Sequence, residues 1–236
     1  TYETWYGRAH AHPHLLKKAV YGLSEHYAPQ IAKADLVACP GCYPTAALLL
    51  LLPLVAQELI EAQDIIIDAK SGVSGAGRSV KEQNLFSEIA ESMHPYSVAA
   101  HRHAPEIEQE LAKAAKQSLR VNFTPHIVPM NRGELLSVYV RTRKGAKAAD
   151  IKNALNDFYA DKDFVRVVDH VPATRHVRGS NFCLLAAFDD RIDGRVILFS
   201  TLDNLVKGSS GQAIQNMNLM FGFEENTGLQ QQPLYP

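Results

Sequence analysis

Eleven consecutive residues, Ala46 to Ala56 (AALLLLLPLVA), carry no polar side chain. A helix that is apolar on every side has no face to turn to water, so it must be enclosed. Crossing a bilayer takes about 20 such residues, and Pro53 interrupts this shorter run. The segment is therefore expected to be a buried core helix. Surrounding it takes a substantial core, which a chain of 236 residues with 46% hydrophobic and 21% charged side chains can supply. That balance fits one large globular domain or two small ones. It excludes a disordered, collagen-like or disulfide-stapled chain. With 24 basic and 25 acidic side chains the formal net charge is −1. Neither nucleic acid nor an anionic membrane is an expected partner. Three cysteines make no disulfide framework and suggest a reducing, cytoplasmic setting. The opening TYETWYGRAHAHPH has no charged n-region or apolar h-region and no initiator Met. It does not look like a secretory leader, and the chain is expected to be a piece of a longer one.

The residues around the apolar run predict its neighbours. Leu36 to Cys39 reads as a short buried strand, ended by Pro40-Gly41. Pro44-Thr45 opens the helix, which runs to about Leu59. Ile65 to Ala69 is a β-branched strand. The glycine-rich loop Ser71 to Gly77 leads into a predicted helix from Arg78 to Ala90, and His94-Pro95-Tyr96 makes a loop. Pro105 to Leu119 is a helix with acids early and lysines late, as the macrodipole favours. The second half changes character. Strands are expected at Val121–Val128, Glu134–Arg143, Phe164–Asp169, Cys183–Asp189 and Arg195–Leu202, with helices at Ala149–Tyr159 and Gly208–Phe221. Strands that follow one another with few helices between them point to an α+β layer with mixed or antiparallel pairing. The tail around Gln230–Pro233 is expected to fray.

Cys42 is the most informative residue. In Cys39-Pro40-Gly41-Cys42-Tyr43-Pro44-Thr45 it lies between a strand and a helix start, where unpaired backbone N–H groups converge. Such groups acidify a thiol and can hold a developing oxyanion. The competing explanation is a small thiol in a tight turn. Cys39 and Cys42 also form a C-x-x-C pair, but Cys39 is expected to face the core, which weakens a dithiol. No second pair completes a zinc site. Cys183 is expected in the core, and His10, His12 and His14 in a surface loop.

His101-Arg102-His103-Ala104-Pro105-Glu106 gathers two imidazoles and a guanidinium just before a helix. A cysteine nucleophile needs a partner that holds and returns a proton, and histidine titrates in the right range. Glu106 is placed to orient an imidazole, and Arg102 to meet an anion. A polar loop that merely caps a helix explains the same residues. The Ser71–Gly77 loop matches neither G-x-x-x-x-G-K-[ST] nor G-x-G-x-x-G, although its glycines permit close approach of a flat ligand.

Taken together, Tyr21-Gly22-Leu23-Ser24-Glu25, Pro40 to Thr45, Ser71 to Arg78, His101 to Ile107, Phe123 to His126, Arg132-Gly133 and Asp203 to Gly208 resemble the N-acetyl-gamma-glutamyl-phosphate reductase family. This family is related to aspartate-semialdehyde and glyceraldehyde-phosphate dehydrogenases. The segments keep the family order across nearly the whole chain. The resemblance implies a homo-oligomeric enzyme, dimer or tetramer, with an NADP-binding Rossmann domain and a second α/β domain for catalysis and subunit contacts. The family's N-terminal glycine fingerprint is missing here, so the chain is expected to be the C-terminal two-thirds and to bind NADP weakly on its own. Residues 1–41 would close the Rossmann domain, 42–202 would form the catalytic and dimerisation domain, and 203–236 would return to the first. By the same resemblance Cys42 attacks an acyl phosphate, inorganic phosphate leaves, and NADPH reduces the thioester. His101, or alternatively His103, would be the acid/base. Arg102 and Glu106 would contact substrate, and Ser74, Gly75 and Asn204 the cofactor. Lys207 is expected to be structural.

Overall fold

The computed structural model describes residues 2–234. In chain order its elements are α1 (Tyr2–Tyr6), β1 (Val20–Tyr21), α2 (Ser24–Ile31), β2 (Val37–Ala38), α3 (Cys42–Ala56), β3 (Ile65–Gly72), α4 (Phe86–Ile89), β4 (His94–Pro95), α5 (His103–Ala115), β5 (Val121–Val128), β6 (Glu134–Arg141), α6 (Ala148–Phe158), β7 (Val165–Val167), β8 (Cys183–Asp189), β9 (Arg195–Leu202) and α7 (Gly211–Phe221). Short 3-10 turns lie at 13–17, 73–76, 82–84 and 174–176, and a π-helical turn at Val206–Ser210 enters α7.

Seven strands form one sheet in the order β4-β5-β3-β6-β9-β8-β7. The β3–β5 and β7–β8 pairs are parallel and the other pairs antiparallel, so the sheet is mixed and largely antiparallel, as expected. Alternation sets its two faces. In β3, Ile65, Ile67 and Ala69 are buried, whereas Ile66 between them is 36% exposed. The inward set, continued by Leu136, Val138, Val140 and Leu198, meets α3, with α5 and α6 packed beside it.

The apolar run is α3, and residues Tyr43 to Val55 are all buried. Each enclosed leucine is worth roughly 1.5–3 kcal/mol relative to exposure, which makes α3 the centre of the core. The helix begins at Cys42, two residues before Pro44, because Gly41 is extended (φ −68°, ψ 165°) and its carbonyl already accepts from Thr45 N–H and Oγ1–H, both at 2.9 Å.

Several expectations are corrected. Leu36–Cys39 is not a buried strand. Its β2 core pairs only with β1 in a two-stranded parallel sheet, Leu36 is 38% exposed and Cys39 is exposed. A two-stranded ribbon has no second layer to bury its outward side chains, so Cys39 does not face the core. The stretch from Arg78 to Ala90 is not one helix. It holds a 3-10 turn and the single turn α4, and Val80 and Phe86 are 94% and 88% exposed, so no apolar face holds it down. His94-Pro95 pairs with β5 rather than looping free. The helix expected from Pro105 starts at His103 and stops at Lys116, whose left-handed conformation (φ 53°) ends it. Cys183 is buried, as expected.

The segment after β9 packs back on the N-terminal part. Ser24 Oγ–H donates to Asn216 Oδ1 at 2.8 Å, and Gln212 and Asn216 amides donate to Gly22 O at 2.8 Å each. The buried Lys207 ammonium meets Glu25 at 2.5 Å and Gln215 at 2.7 Å. This places Lys207 in a structural role.

Candidate active site

Cys42 is half-buried at the first position of α3 and opens onto a cavity of about 350 Å³. Tyr43, Ser71, Gly75, Tyr96 and the three residues His101, Arg102 and His103 also line it. The loop that the sequence placed 60 residues downstream of the cysteine is thus its wall. The His103 ring lies over Gly41. A Cβ on Gly41 would stand 2.4 Å from His103 Nε2, so only glycine lets the imidazole approach the turn that carries Cys42.

The two imidazoles contact each other edge to face, with centroids 4.7 Å apart. His101 Nδ1 accepts the His103 backbone N–H at 3.2 Å. That fixes the tautomer, leaving the hydrogen on Nε2. His103 Nδ1 is buried with no hydrogen-bond partner among the described residues. Burial, with Arg102 adding repulsion, lowers His101 to about 4. Burial, with repulsion from His101 and Arg102, lowers His103 to about 3. Both are therefore neutral near pH 7. An arriving negative charge would raise both, since an opposite charge favours the imidazolium. The Arg102 guanidinium is exposed and sits 4.8 Å from the centre of the Tyr6 ring.

Two expectations about the site need correction. Glu106 does not orient an imidazole and does not line the cavity. Its Oε1 accepts the Gly41 N–H at 3.1 Å and the Tyr21 O–H at 2.8 Å, so it fixes the turn that carries Cys42. Nor is the thiol acidified. Burial and the neighbouring Glu134 carboxyl push Cys42 well up, and the backbone N–H groups of Tyr43 and Cys42 pull it down only in part. The helix N-terminus acts in the expected direction but is outweighed.

Ser74, Gly75 and Asn204 come together as expected. Asn204 Nδ2–H donates to Ser74 Oγ at 3.0 Å, and its Oδ1 accepts the Gly133 N–H at 2.7 Å. Gly75 lines the cavity and has no room for a side chain, since a Cβ there would meet Ser71 Oγ at 2.7 Å.

Sequence reasoning missed two features. Tyr96 O–H donates to Tyr43 OH at 3.1 Å, behind the histidines. Glu134 is completely buried at the head of β6. A signal for it existed. Glu134 shares the strand phase of the inward Leu136, Val138 and Val140, and an acid in that phase is out of place in a core.

Comparison with known proteins gives the family of the chain. Residues 42–204 match the semialdehyde dehydrogenase dimerisation domain. The chain is 56% identical over its whole length to N-acetyl-gamma-glutamyl-phosphate reductase of Rhodospirillum rubrum and covers 67% of that protein. It is 53% identical to the probable chloroplastic N-acetyl-gamma-glutamyl-phosphate reductase of Arabidopsis thaliana, again over the whole chain, and spans 59% of it. Among solved structures, aspartate semialdehyde dehydrogenase II of Vibrio cholerae superposes with a TM-score of 0.68 at 18% identity, covering 87% of this chain and 69% of that one. The enzyme from Francisella tularensis gives 0.67 at 14% identity, with 85% and 71% covered. At these identities the two structures speak for the fold alone. The chain belongs to the N-acetyl-gamma-glutamyl-phosphate reductase family, of which it carries the semialdehyde dehydrogenase dimerisation domain.

Proposed function

We propose that this chain carries the catalytic centre for reductive dephosphorylation of N-acetyl-gamma-glutamyl phosphate to the semialdehyde, a step of arginine biosynthesis. The observation that carries the reading is Cys42 at the head of α3, open to a cavity walled by His101, Arg102 and His103. The likeness, over the whole of this chain, to reductases of that name supports the substrate.

In this reading the Cys42 sulfur attacks the acyl carbon, the carbon–oxygen bond to phosphate breaks, and a thioester remains on Cys42. Arg102 meets the anionic end of the substrate. The N–H groups at the start of α3 face the oxygen that gains charge. Ser74, Gly75 and Asn204 would hold a nicotinamide cofactor, NADP in our proposal, which supplies hydride when bound. His101, with its proton on Nε2, donates to the oxygen of the resulting thiohemiacetal, and His103 is the alternative donor. On collapse the same histidine takes the hydroxyl proton back, the carbon–sulfur bond breaks with its pair going to sulfur, and the aldehyde leaves. Glu106 keeps the Cys42 turn in place without touching substrate.

We further assign residues 1–41 and 203–236 to a cofactor-binding domain and 42–202 to the catalytic one. The half-open sheet face around Ile66, Tyr139 and Phe199 supports a homo-oligomer, dimer or tetramer, and a cytoplasmic setting suits the free thiol. The test is phosphate-dependent reduction of NADP by the gene product that carries this chain, across a panel of aldehydes. N-acetylglutamate semialdehyde should be preferred and Cys42→Ser should lose on the order of 10³-fold or more of the rate. Full activity in Cys42→Ser, or preference for aspartate semialdehyde, would reject the assignment.

A further inference from the structure

Glu134 is completely buried, no nitrogen or oxygen donor among the described residues reaches either of its carboxyl oxygens, and the Cys42 thiol lies within hydrogen-bonding reach of it. A buried carboxyl with so little polar company is costly to keep unless something nearby uses it. Its place in the fold says what that is. Gly133, with φ +114°, turns the chain into β6 and is tied to Asn204 through its N–H. Glu134 then sits in register between Ser71 on β3 and Leu202 on β9. Its backbone carbonyl is held by Thr201 Oγ1–H at 2.7 Å. Leu202 and Cys42 both crowd Gly208, where a Cβ would meet them at 3.1 Å and 2.7 Å. The fixed head of β6 therefore brings the Glu134 carboxyl close to Cys42, and Glu134 itself does not line the cavity. The carboxyl and the thiol lie close enough to shift each other's ionisation. The other titratable groups facing Glu134 are Tyr43 from α3, Tyr96 just after β4 and Cys183 from β8.

We propose that Glu134 is the proton partner of Cys42, taking the thiol proton when the sulfur attacks and returning it when the aldehyde leaves. This rests on the reading of Cys42 as nucleophile. In the attack the S–H bond breaks and its proton goes to a carboxylate oxygen of Glu134. The sulfur pair forms the bond to the acyl carbon, and phosphate leaves with the pair of the broken carbon–oxygen bond. Nothing is oxidised or reduced in this step. The work is thereby divided: Glu134 serves sulfur from inside the protein, and a histidine of the cavity wall serves the substrate oxygen.

Burial pushes Glu134 up to about 8, against a smaller downward pull from the thiol. The ionised form able to accept a proton therefore grows as pH rises through that region, and the apparent midpoint belongs to the pair.

The test is the rate of Cys42 alkylation by iodoacetamide on the full chain, read peptide by peptide across pH, with Cys183 as internal reference. No cofactor or substrate is needed. In the unsubstituted chain the Cys42 rate should climb as pH rises through the region in which Glu134 ionises. Glu134→Gln should slow it about tenfold or more at neutral pH, and Glu134→Asp, which keeps an acid, should retain the climb. An unchanged rate in Glu134→Gln would overturn the proposal and leave the nucleophile intact. A faster rate would also overturn it, because the carboxylate would then only repel the thiolate. If Glu134→Gln does not fold, loss of the climb in folded Glu134→Asp overturns it instead. A Cys42 no more reactive than Cys183 at every pH would overturn both this and the nucleophile reading.

Discussion

A thiol at the head of a helix is pulled in two directions. The N–H groups of Tyr43 and Cys42 favour thiolate, while burial and Glu134 favour thiol, and the second pair wins. The sulfur is thus stored protonated and released by a partner, rather than standing permanently ionised. Its position depends on contacts with little slack. Gly208 lies against Cys42, and a Cβ added there would stand only 2.7 Å from Cys42 Cβ. Gly208→Ala should therefore displace the nucleophile. We expect kcat to fall at least about tenfold while stability drops by about 1–3 kcal/mol, the usual cost of overpacking. A steady-state assay and a urea titration measure the two. The sequence revealed Cys42, His101 and His103 because their chemistry is local to a turn and a helix start. It did not reveal where Glu106 points, since its partners Gly41 and Tyr21 lie 65 and 85 residues away.

Among the elements, those with a strong period were legible. The uniform apolarity of α3 and the alternation of β3, β5, β6, β8 and β9 needed no tertiary information, and their observed ends differ from expectation by a few residues at most. The stretch from Arg78 to Ala90 had helical composition but no apolar stripe, and without a surface to bury it broke into single turns. The helices of the first forty residues were not anticipated. α2 contains Pro29 and the non-helical Tyr27 (φ −122°), so its signal is weak, and its ordering comes from α7 packing against it. The helix expected from Gly208 begins instead with the π-helical turn Val206–Ser210. That widened turn sets Gly208 against Cys42, which a regular period could not announce.

On the scale of the whole molecule, the sheet and α3 form one core, and the C-terminal segment is pinned across it to the N-terminal part by Lys207 and Glu25. Burial alone would raise Glu25, but the Lys207 ammonium and hydrogen bonds from Lys207 and Gln215 bring it below its ordinary value. A carboxyl lowered on folding stabilises above its unfolded pKa, and that contribution is lost as pH falls through the folded value. Lys207→Met leaves Glu25 buried without its cation and should cost about 3–5 kcal/mol in a urea titration. The double change with Glu25→Met should recover much of it. The loss in the single variant should shrink as pH drops below the ordinary carboxylate range, where Glu25 is neutral in both.

The central claim is that Cys42 receives the acyl group. Mixing the full chain with N-acetyl-gamma-glutamyl phosphate, without cofactor, and mapping the product by peptide mass spectrometry tests it directly. The account predicts a hydroxylamine-labile acyl adduct on Cys42 that persists in Cys39→Ser and vanishes in Cys42→Ser. An adduct on Cys39 or Cys183 instead, or none on any cysteine, would contradict it.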